Sequence, residues 1–536
     1  VPALPVVHPP AGSAPPFDHA ALRALPVDPL DHPGSRQVHH ACFSRARPTP
    51  VSAPKALLVV DEVREMLGIS ADWARGEGFA QVFGGNALLP GMDPAAACYG
   101  GHQFGHWAGQ LGDGRAITLG EALVDGGPYE VQLKGAGPTP YSRSADGRAV
   151  LRSSVRELLC SEAMHHLGVP TTRALALVST GDPVWRDMFY DGRPEQEPGA
   201  IVTRVAPSFL RFGNFQIHAA RGHLDPLRAL LRYAIRTQFP SIPAEDDAEA
   251  AAALLAEVAR RTAALVVGWE RVGFVHGVMN TDNMSLLGLT IDYGPYGWID
   301  AWDPDWTPNT TDAERRRYRF GQQPAVALWN LARFAEALLP LVGDVKPLED
   351  ALRAFGETWT PARARMWGDK LGLAEDRDGD AALVDELHQL LSAAETDMTV
   401  FFRALSDAPV DADLAAARRL EPVRAALYDP AALRPALEAR WLGWLERHAA
   451  RARAEGQPAD ARAAAMRAVN PRFVLRNYLA WRAYEQALAG DLEPVRDLLD
   501  TLRNPYQDQP ARSAFAAKRP DWAREKVGCT MLSCSS

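Results

Sequence analysis

Residues Val275–Gly294 read "VHGVMNTDNMSLLGLTIDYG". Asn283 and Asp292 both offer oxygens, the donors that a small hard cation such as magnesium takes together with phosphate oxygens and water. Asp282 directly precedes Asn283 and can either take a proton from an attacking hydroxyl or reach a metal through water. The plainer alternative is a structural Asn/Asp turn. Whether the stretch is a site depends on what stands upstream of it.

Arg204 and Arg211 lie in "VTRVAPSFLRFGNF". The planar fork of arginine grips phosphate, although a surface arginine is otherwise simply solvated. Further back, "KGAGPTPYSRSADGRA" separates a strand from a helix. Structureless loops of this length usually carry a role, the alternative being an ordinary surface loop. Asp146 and Gly147 can make a tight turn there, and the Gly147 N–H can serve an anion. Lys134 ends the alternating run "YEVQLK", and Glu157 sits on the following helix. In protein kinases a strand lysine that grips phosphates is held by such a helix glutamate. An S-x-x-E capping box of Ser154 and Glu157 is the competing reading. Earlier still, "GQLGDGRA" places glycines at 109, 112 and 114, which let backbone N–H groups approach a phosphate, and Arg115 adds a positive charge. A glycine-rich hairpin is the alternative here.

Read forward, the parts stand in protein-kinase order: glycine-rich turn, strand lysine, helix glutamate, a loop from His276 to Asn283, then Asp292-Tyr293-Gly294 in the place of Asp-Phe-Gly. One part differs. Val278 stands where a kinase keeps its catalytic aspartate.

The texture of the chain fits that order. Residues 1 to about 75 are a Pro-rich lead with one expected helix, "APKALLVVDEVREMLGI". "GRAITLGEAL" and "YEVQLK" alternate as half-buried strands, and "ALALVST" and "GAIVTRVA" read as further strands. "AVLRSSVRELLCSEAMHHLG" has helical apolar spacing and stops at Gly168. Beyond residue 215 the chain reads as mostly helical, with "DAEAAAALLAEVARRTAALVVGWERVG", "QPAVALWNLARFAEALLPLV" and "NPRFVLRNYLAWRAYEQALAG" the clearest helices. The stretch near 370–395 and "RARAEGQPADARAAA" read as solvated helix and linker, and the last thirty-odd residues as an extended tail. Strands with one helix, then a helical half, predict an α+β, protein-kinase-like bilobal fold. The expected divisions are an N-terminal extension (1–78), a nucleotide-binding β-rich lobe (79–212), a helical lobe with the metal and catalytic loop (213–500) and a C-terminal tail (501–536).

The chain has 536 residues, 47% hydrophobic and 23% charged, with material for a sizeable core. Its net charge of −9 argues against nucleic acid as a partner. Five scattered cysteines form no C-x-x-C pair, which points to a reducing compartment. The start lacks a basic region followed by an apolar one, and no apolar run reads as membrane-spanning. The expectation is a cytoplasmic monomer.

The motifs "GHQFGHWAGQLGDGRAITLGE", "VQLKGAGPTPYSRSADGRAVLRSSVRE", "RVAPSFLRFG", "HGVMNTDNMSLLGLTIDYGPYG" and "NPRFVLRNYLAWRA", with a terminal "SCSS", resemble the selenoprotein O family from about residue 35 onward. The resemblance implies a kinase-like protein adenylyltransferase, which moves AMP from ATP to Ser, Thr or Tyr hydroxyls of proteins, with ATP flipped relative to kinases. It implies that Gly112, Gly114, Arg115, Lys134, Asp146, Gly147, Arg204, Arg211 and Asp292 bind the nucleotide and that Glu157 positions Lys134. It further implies that Asn283 and Asp292 hold Mg²⁺ or Mn²⁺ and that Asp282 accepts the proton. Bacterial and mitochondrial members are known in the family. Relatives often carry a cysteine in the segment that reads "WTPNTTD" here, with Pro308 in its place. In the family that cysteine can pair with one near the C-terminus, the position matched by Cys534. Without it, a Cys529–Cys534 link and a free thiol both stay open. Competing with AMP transfer are UMP transfer with Mn²⁺, phosphoryl transfer with Asp282 as base, and ATP binding without turnover.

Overall fold

The computed structural model describes residues 4–32, 34–187, 192–243 and 245–533. Ten strands, with helices between them, lie between Phe17 and Ala206: β1 (Phe17–Asp18), β2 (Phe43–Arg45), β3 (Lys55–Val59), β4 (Ala95–Ala97), β5 (Gly100–Gln103), β6 (His106–Gln110), β7 (Ala116–Val124), β8 (Gly127–Lys134), β9 (Arg173–Arg186) and β10 (Glu195–Ala206). Among the described residues, eight of them form one antiparallel sheet in the order β2-β4-β7-β8-β10-β9-β3, with β1 on β7. Asp125 and Gly126 make the tight turn between β7 and β8. β5 and β6 form a separate hairpin.

Two expectations about this region change. "APKALLVVDEVREMLGI" is not one helix: Lys55–Val59 is strand, and helix runs only over Asp61–Met66. The edge of β9 offers free backbone partners to Lys55, Ala56, Leu58 and Val59, and that pairing overrides local helical spacing. The lead thus supplies β1, β2 and β3 to the sheet. The central strands are also buried on both faces rather than half-buried. Thr118, Gln132 and Thr203 are as inaccessible as Ile117, Leu133 and Val202.

Helix α1 (Leu151–His166) links β8 to β9 and packs on β9 and β10. Its N-cap is Val150, so Ser154 lies inside the helix and caps nothing. α2 (Phe212–Ala220) and α3 (Leu224–Gln238) follow β10. α4 (Asp247–Val272) is capped by the Asp246 carboxylate, which accepts from the N–H groups of Ala248 and Glu249, and ends at Gly273 with φ 75°. The chain then makes β11 (Phe274–Val275), which pairs with β12 (Gly297–Trp298). That two-stranded neck closes residues 276–296 into one loop.

α5 (Gln323–Val342) and α6 (Val345–Leu371) pack on α4. The span Phe320–Val342 is long and apolar enough to cross a membrane by length and composition, contrary to the expectation that no run reaches that length. Here Val326, Leu331, Phe334 and Leu338 of α5 are buried in the protein core. The supposed solvated stretches also pack: Leu387, Leu390 and Met466 join a second apolar cluster around Trp367, Trp441 and Trp444. In "NPRFVLRNYLAWRAYEQALAG" the helix α7 (Asn477–Leu488) starts late. Arg476 before it is buried and pairs with Asp300 (3.0 Å) and Asp397 (2.9 Å).

The C-terminal residues do not trail away. After α8 (Glu493–Leu502), the Tyr506 hydroxyl donates to the Leu167 carbonyl (2.8 Å), Arg519 pairs with Glu395 (2.7 Å), and Ala523, Cys529 and Leu532 are buried. Leu532 exchanges backbone hydrogen bonds with the Pro308–Thr310 segment: its N–H donates to Pro308 O (2.9 Å) and its carbonyl accepts from Thr310 N (2.8 Å). The tail is held by single anchors without periodicity, which is why its sequence reads as extended. Cys529 is buried and free, while Cys534 and its pairing lie outside the described residues.

Candidate active site

The turn between β6 and β7, the end of β8, the 135–149 loop and the neck-closed 276–296 loop meet at a cleft of about 710 Å³. Gly112, Gly114, Arg115, Lys134, Asp146, Gly147, Arg204, Asp282, Asn283 and Asp292 all line it. Glu157 and Arg211 are buried and touch this lining from behind.

Glycine is required at two of these positions. Gly112 has φ 73° and any Cβ would enter the Tyr141 ring. Gly147 has φ 68° and any Cβ would enter the Gly137 carbonyl. The Gly137 N–H donates to Gly147 O (3.1 Å), so the polar loop is folded back on itself at the cleft.

Lys134 Nζ lies 2.5 Å from Glu157 Oε2. Burial lowers the Lys134 pKa, and the Glu157 carboxylate opposes that by favouring the charged amine. Arg204 donates to Glu157 Oε1 (3.1 Å), to Asp292 Oδ1 (2.6 Å) and to Gln132 Oε1. Arg211 pairs with the other Asp292 oxygen, donates to the Asp282 carbonyl (3.0 Å), and lies 4.6 Å from the Tyr99 ring centroid. Burial works to raise the Asp292 pKa, yet the two guanidiniums outweigh it and hold the carboxyl well below the usual carboxylate range. Asp292 is therefore an anion neutralised by two cations, at a left-handed φ of 55°.

Asp282 is set differently. Burial pushes its pKa up to about 6. Gln103 Nε2 donates to Oδ2 (3.3 Å), while Oδ1 is buried without a hydrogen-bond partner. The hairpin β5–β6 lies close above it: a Cβ on Gly101 would come 2.5 Å from Asp282 Oδ1. Asn283 Nδ2 donates to Val278 O (2.9 Å), which leaves its amide oxygen for other use. His276 is structural, its Nε2 2.9 Å from Ile291 O.

No group of three or more His, Cys, Asp or Glu suited to a metal occurs among the described residues. A site made of the Asn283 amide oxygen, the Asp292 carboxylate and phosphate oxygens of a nucleotide nevertheless suits magnesium, which binds through one or two carboxylates plus substrate phosphates.

Sequence reasoning missed three residues. Gln103 holds Asp282, Gln132 accepts from Arg204, and Arg186 pairs with Asp146 (2.8 Å) at the cleft rim. Gln132 was visible only as the polar phase of a strand, and Gln103 only as part of "GHQFGHW".

The family model described as "Protein adenylyltransferase SelO" matches residues 35–503. The chain is 59% identical over 525 residues to "Protein nucleotidyltransferase YdiU" of Xanthomonas campestris pv. campestris (strain 8004). It is 57% identical over 526 residues to the protein of that name from Azoarcus sp. (strain BH72), and 56% over 525 residues to the one from Aromatoleum aromaticum. Each match covers 97% of this chain and 99% of the relative. With that match over most of the chain, and a cleft that gathers a lysine, arginines, carboxylates and glycines, the chain belongs to the SelO protein adenylyltransferase family.

Proposed function

We propose that this nucleotidyltransferase moves AMP from ATP to Ser, Thr or Tyr hydroxyls of proteins, in a kinase-like bilobal body whose sheet and helical regions face each other across the cleft. The observation that carries the reading is the cation set around Asp292. Arg115, Lys134 and Arg204 line the cleft and Arg211 backs it, while Val278 leaves position 278 without a proton acceptor. Four cations are suited to seat the β and γ phosphates, Arg204 and Arg211 exchanging Asp292 oxygens for phosphate oxygens. The α phosphorus then faces outward to the substrate hydroxyl, the reverse of the kinase pose.

The hydroxyl oxygen forms a bond to the α phosphorus. The bond from the α phosphorus to the bridging oxygen breaks, pyrophosphate leaves, and the hydroxyl proton passes to the Asp282 carboxylate, which lines the cleft. A base with a pKa of about 6 is ionised at neutral pH and still basic enough to help. Glu157 keeps Lys134 extended toward the phosphates. A bound Mg²⁺ or Mn²⁺, held by Asn283 and Asp292, would neutralise charge developing on the phosphates.

Mass spectrometry of proteins incubated with the enzyme, ATP and Mg²⁺ or Mn²⁺ tests the reading. AMP on Ser, Thr or Tyr, with pyrophosphate formed in equal amount, is expected. Phosphoryl groups on those residues together with ADP would contradict it.

A further inference from the structure

Beside the catalytic loop lies a basic hollow that the AMP-transfer chemistry does not use. Its residues come from "ERRRYRF", Glu314–Phe320, in a chain of net charge −9. Phe104, Arg315, Arg317, Arg319, Gln322 and Val326 line a hollow of about 330 Å³. Arg319 is tied to Asp305 (2.8 Å), but Arg315, Arg316 and Arg317 make no ion pair among the described residues. The nearest acid in sequence that is buried, Asp312, spends its carboxylate on the backbone N–H groups of Arg317 and Tyr318 (2.9 and 2.7 Å). Arg317 lies 4.5 Å from the Trp329 ring centroid, with Nε and Nη2 buried and unpartnered. Arg315 and Arg316 are exposed.

The hollow is one hairpin away from the reacting groups. The Phe104 N–H at the tip of β5–β6 donates to the Tyr318 hydroxyl (2.9 Å), and that hydroxyl donates to Asn280 Oδ1 (2.6 Å) in the catalytic loop. The preceding residue, Gln103, holds Asp282. An aromatic row runs along the same hairpin: Trp107, which is 40% exposed, packs on His102, and His102 on Trp329.

We propose that this hollow docks an acidic segment of the protein substrate next to the hydroxyl that receives AMP. The proposal rests on the AMP-transfer reading and deepens it by naming the substrate class. Unpaired arginines in a concave, partly desolvated setting favour carboxylates, and like charges placed there are strongly disfavoured. Glutamates or aspartates flanking the acceptor would meet Arg315 and Arg317 in the hollow, with exposed Arg316 between them in sequence and an apolar neighbour able to lie on Trp107.

The test compares a fluorescent peptide carrying one serine among glutamates with its twin carrying lysines, by anisotropy and by AMP incorporation. The full chain is expected to bind the acidic peptide at least about tenfold more tightly, with affinity falling as salt rises. The double variant Arg315→Glu/Arg316→Glu is expected to lose that preference and raise KM for the acidic peptide by about tenfold or more, with kcat and ATP affinity unchanged. Equal binding of both peptides, an unaffected double variant, or tighter binding of a single-stranded oligonucleotide at the same arginines would overturn the proposal. Binding as expected without AMP incorporation would uphold the docking surface and count against the transfer reading alone.

Discussion

Asp292 is poised between two demands. Arg204 and Arg211 hold it now, and the proposed chemistry needs it for a cation while the arginines turn to phosphate. Asp292→Ala is expected to lower AMP transfer by at least about 10²-fold. It also strands two buried guanidiniums, so thermal unfolding should show a lower Tm as well. Full activity in a purified, folded variant would refute the assignment. Gly147→Ala forces a side chain into the Gly137 carbonyl at a left-handed φ, and is expected to weaken ATP binding by opening the polar loop. Titration calorimetry with ATP measures this directly, and wild-type affinity would show that the loop does not hold the nucleotide. Lys134, Glu157 and Asp292 were legible because their spacing along the chain follows a known order. Gln103 and Arg186 were not, because each acts on a partner 179 or 40 positions away that only the fold brings near.

At the scale of elements, the strands that carry the cleft residues were legible from their apolar alternation, but their burial was not. A strand covered on both faces still shows polar residues when those residues pair with each other, as Gln132 does with Arg204. The helix expected over residues 53–69 failed for the converse reason: a free sheet edge decided the conformation of Lys55–Val59, and local sequence holds no record of that edge. Glu130 on β8 shows how such an element is coupled to the site. Its carboxylate accepts from Ser208 Oγ (2.9 Å) and the Phe209 N–H (3.2 Å), fixing the turn that leads to Arg211. Burial pushes its pKa up from 4.5 to about 7. Between those values the folded chain keeps a proton that the unfolded chain has released, so this group's stabilisation is full below pH 4.5 and is lost as pH rises through 7. Glu130→Gln is expected to flatten the fall in Tm between pH 5 and 8 relative to the wild type. An identical pH profile for both proteins would show that Glu130 does not titrate in that window.

At the scale of the molecule, the order of a β-rich part followed by a helical part was readable from texture alone. The fate of the two ends was not. The lead supplies three strands to the sheet, and the tail closes against α1 and the Pro308–Thr310 segment through isolated anchors. Deleting residues from 505 onward removes Tyr506, Arg519 and the buried Cys529 and Leu532, and is expected to lower Tm by several degrees. An unchanged unfolding curve would mean that these contacts contribute nothing. The buried Cys529 thiol, pushed up to about 12 by burial, stays protonated and unreactive while the tail is docked.

The central claim is that the loop of Val275–Gly294 serves attack at the α phosphorus. Parallel incubations with α-labelled and γ-labelled ATP, a protein acceptor and a divalent metal test it most directly. The account predicts label on protein from α-labelled ATP alone, lost in Asp282→Asn and Asp292→Ala. Transfer of the γ label, with none from the α position, would contradict it.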